Sequence, residues 1–454
     1  MRIHLIAIGG SAMHNMALAL YQKGFTVTGS DDEINEPSKS RLLKAGILPA
    51  EIGWFPEKIT ADIDAVILGM HAREENPELI KARELGLKIY SYPEYIYEQT
   101  KDKTRIVVGG SHGKTTITSM ILHVMKYAGI ETDFMVGAQL EGFDTMVKLT
   151  KEAKYAVIEG DEYLASPIDR RPKFHLYYPN IAIISGIAWD HINVFPTFEM
   201  YVDQFRMFIE LIEPKGTLVY CNEDKELREL ASRLKQLDLS FKPYAIPEHH
   251  IENGITIIRH NGKNLPLKIF GDHNLMNMNG ARLVCNSIGI NDDQFYEAIA
   301  SFKGASKRLE LVKAEKNFAM YKDFAHSPSK LKATIDAVKK QFTDRKLIAC
   351  MELHTFSSLN ENFLNEYNGS MEKADEAIVY FNPHTIEHKK LKPITEAQVK
   401  KAFARNDIKI FTESAKVKEY LQSENRNNST VLMMSSGNFD GIDFAKLAEE
   451  LEIS

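Results

Sequence analysis

Hydrophobic residues fall along this chain in short runs separated by segments of helical period. "RIHLIAIGG" is an apolar run that ends on a glycine pair. "SAMHNMALALYQKG" places its apolar residues at helical spacing and closes on Gly24, and "FTVTGSD" is a second run ending at Asp31. Together they predict one βαβ unit, to which "DAVILGM" and "LKIYSYP" add two strands. The polar stretch "EQTKDKT", residues 98–104, reads as a linker. After it come strand "TRIVVGG", helix "ITSMILHVMKYAG", and the runs "KYAVIEG", "NIAIISGI" and "GTLVYC". Continuous apolar runs alternating with helices are expected of parallel strands covered on both faces. "HHIENGITIIRHNGKNLPLKIFG" alternates instead and carries Asn-Gly turns, which predicts an antiparallel hairpin added to that sheet. "HNLMNMNGARLVCNSIG" returns to helix. From about residue 311 the βα alternation resumes and ends on the helix "FDGIDFAKLAEELE".

The predicted architecture is therefore α/β, with three domains in series: a Rossmann-like domain over 1–102, a central phosphate-loop domain with a mainly parallel sheet over 103–310, and a second Rossmann-like domain over 311–454. The length of 454 residues agrees, at roughly 150 residues per domain. A net charge of −6, with the lysines scattered, argues against a nucleic-acid or membrane-binding surface. No run approaches the ~18–20 apolar residues that span a bilayer, and the first strand runs straight into a glycine turn, unlike a signal segment. A cytoplasmic protein is expected. Cys221, Cys285 and Cys350 stand far apart in apolar contexts, as buried reduced thiols do.

The chemistry is concentrated in "GGSHGKTT", residues 109–116. Strand, glycine turn, Gly-Lys-Thr and helix is the layout of a phosphate-binding loop, whose backbone N–H groups and helix start face phosphate oxygens. The usual first glycine is missing, since Val108 takes its place, and a shorter G-x-x-G-K-T loop results. Gly110, Ser111, His112, Gly113, Lys114, Thr115 and Thr116 are the candidate ATP-binding residues. Lys114 is placed to bridge the β- and γ-phosphates, and a hydroxyl at Thr115 or Thr116 to ligate Mg²⁺. "VIEGDEY" sets Glu159, Asp161 and Glu162 just past a strand, and "GIAWDHINVF" sets Asp190 and His191 past the next. Either alone reads as a solvated turn or a structural histidine. Beside a phosphate loop, Glu159 and His191 become metal-ligand candidates with Thr115. "AIGGSAM" resembles a dinucleotide turn without the full glycine fingerprint. Gly9, Gly10 and Ser11, with Asp31 about 20 residues on, suit a nucleotide diphosphate. "HTIEH" (384–388) matches an inverted zinc-protease pattern but has no third ligand, and "EHH" (248–250) reads as an exposed turn.

Taken together these residues resemble the Mur ligase family, ATP-dependent amide-forming enzymes of peptidoglycan assembly, whose members carry the short G-T-x-G-K-T loop. The likeness extends over essentially the whole chain. "IHLIAIGGSAMHNMALALYQKGFTVTGSD" looks like the start of the subgroup that uses UDP-N-acetylmuramate. "GDHNLMNMNGA" looks like the segment flanking adenine, which implies Asn274 and Asn277. "SFKGASKRLE" implies that Arg308 reaches the phosphates, and "YKDFAHSP" that Asp323 and His326 close on ATP. "VIEGDEYLASPIDRRPKFHLYYPN" and "MSSGNFDGI" look most like the cell-wall-recycling branch, whose acceptor is L-alanyl-γ-D-glutamyl-meso-diaminopimelate. L-Alanine is the alternative acceptor. Ala7 and Ala12 stand where the subgroup often has glycine, His354 where the recycling branch tends to have arginine, and Ser327 where a second histidine is usual. Arg206 occupies the position of a carbamylated lysine in other branches, so no such modification is expected.

The resemblance implies that the muramate lactyl carboxylate takes the γ-phosphoryl group of ATP as an acyl phosphate, which the acceptor amine then displaces. Lys114, Arg308 and His326 are the candidate catalytic residues, ATP and Mg²⁺ the cofactors, and the third domain is expected to complete the site on closure. Two other classes stay open: a non-catalytic nucleotide-binding regulator, against which Lys114, Glu159 and His191 speak, and a nicotinamide oxidoreductase, which rests on the first βαβ unit alone. Oligomeric state is not legible.

Overall fold

The computed structural model describes residues 1–137, 143–189, 194–305 and 308–451. The backbone divides into two compact units, Met1–Ile246 with Met276–Ile299, and Pro247–Leu275 with Ala300–Ser454. The chain thus leaves the second unit part-way along the helix Asp272–Ser287.

The first unit holds two sheets. In the first sheet β1 (Arg2–Ile6), β2 (Thr26–Ser30), β3 (Ala65–Leu68) and β4 (Ile89–Ser91) pair in parallel in the order β2-β1-β3-β4. Ile6, Val66, Leu68 and Leu79 lie in one continuous core beneath it. His4, in the middle of β1, is fully buried between the Thr28 hydroxyl at 2.9 Å and the Glu78 carboxylate at 3.2 Å. Ala7, where glycine was the expectation from the family, has a φ of 67°, the left-handed region that glycine tolerates best. The helix Tyr92–Thr100, begun by a Ser91–Glu94 capping box, extends into the stretch read as a linker, where Thr100 is buried and its hydroxyl donates to Ile96 O at 2.7 Å. The connection shrinks to 101–103.

The second sheet carries β5 (Thr104–Gly109), β6 (Thr132–Met135), β7 (Val147–Lys148), β8 (Tyr155–Glu159), β9 (Ile181–Ile184), β10 (Thr217–Cys221) and β11 (Ser240–Tyr244). Their order is β11-β10-β9-β5-β8-β6-β7, and only β7 runs antiparallel to its neighbour. Val107, Val108, Val157 and Ile183 are wholly buried, as the continuous apolar runs require. After β5 the chain builds one side of the sheet and then crosses to the other, so the end of β5 is a topological switch point.

In the second unit, β12 (His249–Glu252), β13 (Ile255–His260) and β14 (Lys263–Leu267) form a separate antiparallel sheet. This corrects the expectation of a hairpin added to the central sheet. The Asn253-Gly254 and Asn261-Gly262 turns all have positive φ and form as read. "EHH" belongs largely to β12 rather than to a turn, since His249 and His250 pair with Ile258 and Ile257. The remaining sheet contains β15 (Glu310–Glu315), β16 (Phe318–Asp323), β17 (Lys346–Leu353), β18 (Glu376–Phe381), β19 (Lys409–Phe411) and β20 (Ser429–Met434), in the order β15-β16-β20-β17-β18-β19. Only β15 is antiparallel, and apolar cores cover both faces. Among the described residues no helix is long and apolar enough to cross a membrane.

Gly280 marks where the helix Asp272–Ser287 presses on the central sheet. A Cβ there would meet Ile183 Cδ1 at 2.7 Å and Tyr244 Cζ at 2.9 Å. Alanine ordinarily gains up to about 1 kcal/mol over glycine inside a helix. Here overpacking costs roughly 1–3 kcal/mol. Gly280→Ala is expected to lower the melting temperature, and a raised one in a thermal melt would refute this packing.

Candidate active site

The loop after β5 is shaped by two glycines that admit no side chain. Gly110 has a φ of 121°, and a Cβ on it would run into the Ser185 hydroxyl. Gly113 has a φ of 80°, and its Cβ would lie 2.5 Å from Asn277 Oδ1. Ser185 N–H and Ser111 N–H donate to Gly109 O at 3.2 Å and Gly186 O at 3.1 Å, which ties the loop to the end of β9. The helix Lys114–Tyr127 follows at once. As at any helix start, its first N–H groups have no intrahelical acceptor and present a positive end.

Lys114 Nζ donates to Gly110 O at 2.7 Å and to Glu162 Oε2 at 2.8 Å. Glu162 is buried and accepts from the Tyr201 hydroxyl at 2.9 Å. Ser111 Oγ stands 2.9 Å from that hydroxyl and accepts from Ala188 N–H at 2.8 Å. The hydrogen bonds therefore run in one direction, from Ala188 through Ser111 and Tyr201 to the Glu162 carboxylate. Burial works against the Lys114 ammonium, but the carboxylates of Glu162, Asp161 and Glu159 outweigh it and hold its pKa above the ordinary lysine value.

Glu159, the last residue of β8, accepts from Thr115 Oγ at 2.8 Å and from Gly137 N–H at 2.9 Å. A hydroxyl and a carboxylate side by side at a helix start form a hard oxygen pair of the kind Mg²⁺ takes beside phosphates. With the glycines, the helix start and Lys114, the residues present fit a nucleotide phosphate and its magnesium ion. His191, and Asp190 with it, lie outside the described residues. Asp161 turns to Lys173 at 2.6 Å. Burial raises its carboxyl, but Lys173 and then Lys114 bring the pKa below the usual range.

Other predicted residues have tasks of their own. Asn277 is packed against Gly113, whereas Asn274 spends its amide on Phe270 O at 2.9 Å. Asp31 is buried and accepts from Gly9 N–H at 2.6 Å, so it braces the glycine turn. Burial pushes its carboxyl above the ordinary value against that bond. Gly10 precedes the helix Ser11–Gln22. In the second unit the Arg308 guanidinium lies over the Phe324 ring at 4.9 Å. Asp323 accepts from Leu309 N–H and Ala325 N–H, both at 2.7 Å, and the His326 ring reaches Phe324 O at 2.8 Å. Arg206 sits in an ordinary helix-surface ladder with Asp203 and Glu210. "HTIEH" forms the short helix Pro383–His388 with His384 and Glu387 exposed, and among the described residues no group of three metal-ligating side chains converges. Sequence reasoning missed Glu162 as the partner of Lys114, although the acidic turn was visible. Tyr201 and Ser185 gave no signal at all.

Three family patterns cover the chain: "Mur ligase family, catalytic domain" at residues 2–104, "Mur ligase middle domain" at 108–285, and "Mur ligase, glutamate ligase domain" at 307–437. A UDP-N-acetylmuramate–L-alanine ligase of Caldicellulosiruptor bescii is 33% identical over 393 residues, 82% of each chain. The chain belongs to the Mur ligase family. It is accordingly an ATP-dependent, amide-bond-forming ligase with the family's three-domain α/β architecture. Among solved structures, the UDP-N-acetylmuramate-alanine ligase of Thermotoga maritima matches with a TM-score of 0.69 at 21% identity, covering 99% of this chain and 98% of that one. The UDP-N-acetylmuramate:L-alanyl-γ-D-glutamyl-meso-diaminopimelate ligase of Neisseria meningitides matches with a TM-score of 0.59 at 25% identity, covering 66% of this chain and 98% of that one.

Lys114→Ala removes a cation both from the loop and from the buried Glu162. Turnover is expected to fall by at least about 100-fold, and stability by roughly 3 kcal/mol. Adding Glu162→Gln should restore the melting temperature but not the activity. Recovery of ADP release in the double variant would remove Lys114 from the chemistry.

Proposed function

We propose that this ligase joins the lactyl carboxylate of UDP-N-acetylmuramate to the amine of L-alanine, with ATP cleaved to ADP and phosphate. The observation that carries the ATP half is the Lys114–Thr115–Glu159 grouping around a loop with no room for side chains. Lys114 and the helix start hold the phosphates. Thr115 and Glu159, with His191 as a third ligand, hold Mg²⁺, which when bound supplies charge neutralisation at the phosphates. Lys114 stays protonated throughout, because its carboxylate neighbours hold its pKa high. Gly9, Gly10 and Ser11 take the diphosphate of the sugar nucleotide at the start of the helix Ser11–Gln22, with Asp31 keeping the turn in shape. Asn277, packed against Gly113, serves the nucleotide, and Asn274, Arg308, Asp323 and His326 are the further candidates that the family likeness offers. The carboxylate attacks the γ-phosphorus, ADP departs, the amine attacks the acyl carbon, and phosphate leaves with the amine proton released. Domain limits near 102 and 310 and a cytoplasmic setting belong to the same reading.

One observation supports L-alanine over the tripeptide expected from the sequence. The curated relative above, 33% identical, is named for L-alanine. In the second unit, His326 and His354 are the cation-capable side chains immediately following β16 and β17, and Thr355-Phe356-Ser357-Ser358 come next. The Glu352 carboxylate beside His354 is already engaged by Ser435 and by Phe439 N–H at 2.9 Å. Lys389 Nζ lies over the Phe356 ring at 4.4 Å and the Arg308 guanidinium over Phe324, so further cations stand beside both loops. The tripeptide remains a second reading because of the Neisseria meningitides likeness.

ADP release with UDP-N-acetylmuramate is expected to be faster with L-alanine than with the tripeptide at equal concentration. A margin of at least about tenfold is expected, well within what unmatched polar groups in a site enforce. Chelation of Mg²⁺ should abolish it. Faster release with the tripeptide would move the assignment to the second reading, and release with neither would reject the donor.

A further inference from the structure

Asn15 sits inside the helix Ser11–Gln22 and is fully buried, although asparagine is a poor interior helix former. Its amide is oriented by the histidine before it. His14 Nδ1 lies 3.0 Å from Gly10 O and 2.9 Å from the Ser38 hydroxyl; the carbonyl accepts only, so Nδ1 carries the proton, shared with Ser38 Oγ, and Nε2 is an acceptor. Asn15 Nδ2 then donates both its hydrogens, to His14 Nε2 at 3.0 Å and to Ser11 O at 2.8 Å. The oxygen must therefore face the other way. It accepts from Met146 N–H at 3.0 Å and lies 3.1 Å from the Thr145 hydroxyl, whose one proton is shared with Val147 O at 3.0 Å; both residues are on the segment that leads into β7 of the central sheet.

From Met146 the bonds continue inward. Met146 O accepts from Val136 N–H at 2.9 Å. The next residue, Gly137, donates its N–H to Glu159 Oε2 at 2.9 Å, and a Cβ on Gly137 would press on the same carboxylate at 3.0 Å. Glu159 Oε1 holds Thr115. Asn15 thus joins the carbonyl of Ser11, at the start of the helix that follows the glycine turn, to a backbone segment that ends on the Thr115–Glu159 pair, and Ser11 Oγ meets Met146 Sδ at 3.8 Å beside it.

We propose that Asn15 is a positioning residue that couples the first-domain glycine turn to the Thr115–Glu159 pair, so that occupancy of one site orders the other. The proposal rests on the reading that the turn takes the diphosphate of the sugar nucleotide. By reciprocity, whatever the donor does to the nucleotide site the nucleotide does to the turn.

The test is hydrogen exchange at residues 9–15 of the full chain, with and without Mg·AMPPNP. The nucleotide is expected to slow exchange there at least about fivefold in the wild type, the lower end of ordinary coupling. The slowing should vanish in Asn15→Ala and shrink in Thr145→Val, which keeps Asn15 and removes one bond to its oxygen. General loosening of the fold would raise exchange equally with and without nucleotide, so the ratio isolates the coupling. Equal slowing in all three proteins, or none in the wild type, overturns the proposal. Calorimetric titration of the same proteins with UDP-N-acetylmuramate separates the two ideas. No binding by the wild type rejects the donor reading, while the exchange ratio still decides the coupling.

Discussion

Parallel pairing of β5 with β8 on one side and β9 on the other is the constraint on which the site depends. The register sets Val108 beside Glu159 and Gly109 beside Ile184. Parallel strands end on the same edge, so whatever follows each of the three is delivered to one place. The loop after β5, the carboxylate closing β8 and the turn after β9 meet there because their strands share that edge. A loop squeezed between two neighbours has little room, and the contacts a Cβ would make at Gly110 and Gly113 show how little.

Crowding of this kind also sets the electrostatics. Lys114 is held among carboxylates that hydrogen-bond in fixed directions. Glu162 accepts from Lys114 and Tyr201 together, which keeps a buried negative charge satisfied from two sides. The arrangement stabilises the ammonium in place at the helix start. The acidic turn shows how finely the directions are divided. Of its three carboxylates, Glu159 goes to Thr115 and Gly137, Asp161 to Lys173, and Glu162 to Lys114. Successive residues past a strand end point in different directions, so a cluster in sequence becomes three separate roles in space.

The glycine turn of the first domain follows similar logic with different parts. Asp31 was expected to close the second strand beside the glycine turn, and it follows β2 directly, with its carboxylate accepting from Gly9 N–H. Bracing by a buried carboxylate holds the turn in a shape that Ala7, with a positive φ and no glycine to relieve it, would not adopt unaided. The same helix carries Asn15, whose oxygen leaves the first domain altogether.

By itself the sequence determined the α/β class, the run of parallel strands in the central domain, the phosphate loop and the family. These rest on local signals: apolar runs of strand length, helical periods, Asn-Gly turns, and the spacing of Gly110, Gly113 and Lys114. It did not determine that residues 247–275 form a sheet of their own, because alternation says which face is buried but not against what. Nor could it pair His4 with Glu78, Lys114 with Glu162, or Asn15 with Met146. Partners so far apart along the chain are chosen by which strand ends and helix starts the folded sheets bring together. The acceptor was not legible for a related reason. His354 is one residue in a pattern, and what it can recognise depends on the groups around it, where Glu352 is already engaged by Ser435 and Phe439. Hydrogen-bonding capacity is written in the sequence, but which of it remains unspent is decided only when the chain has folded.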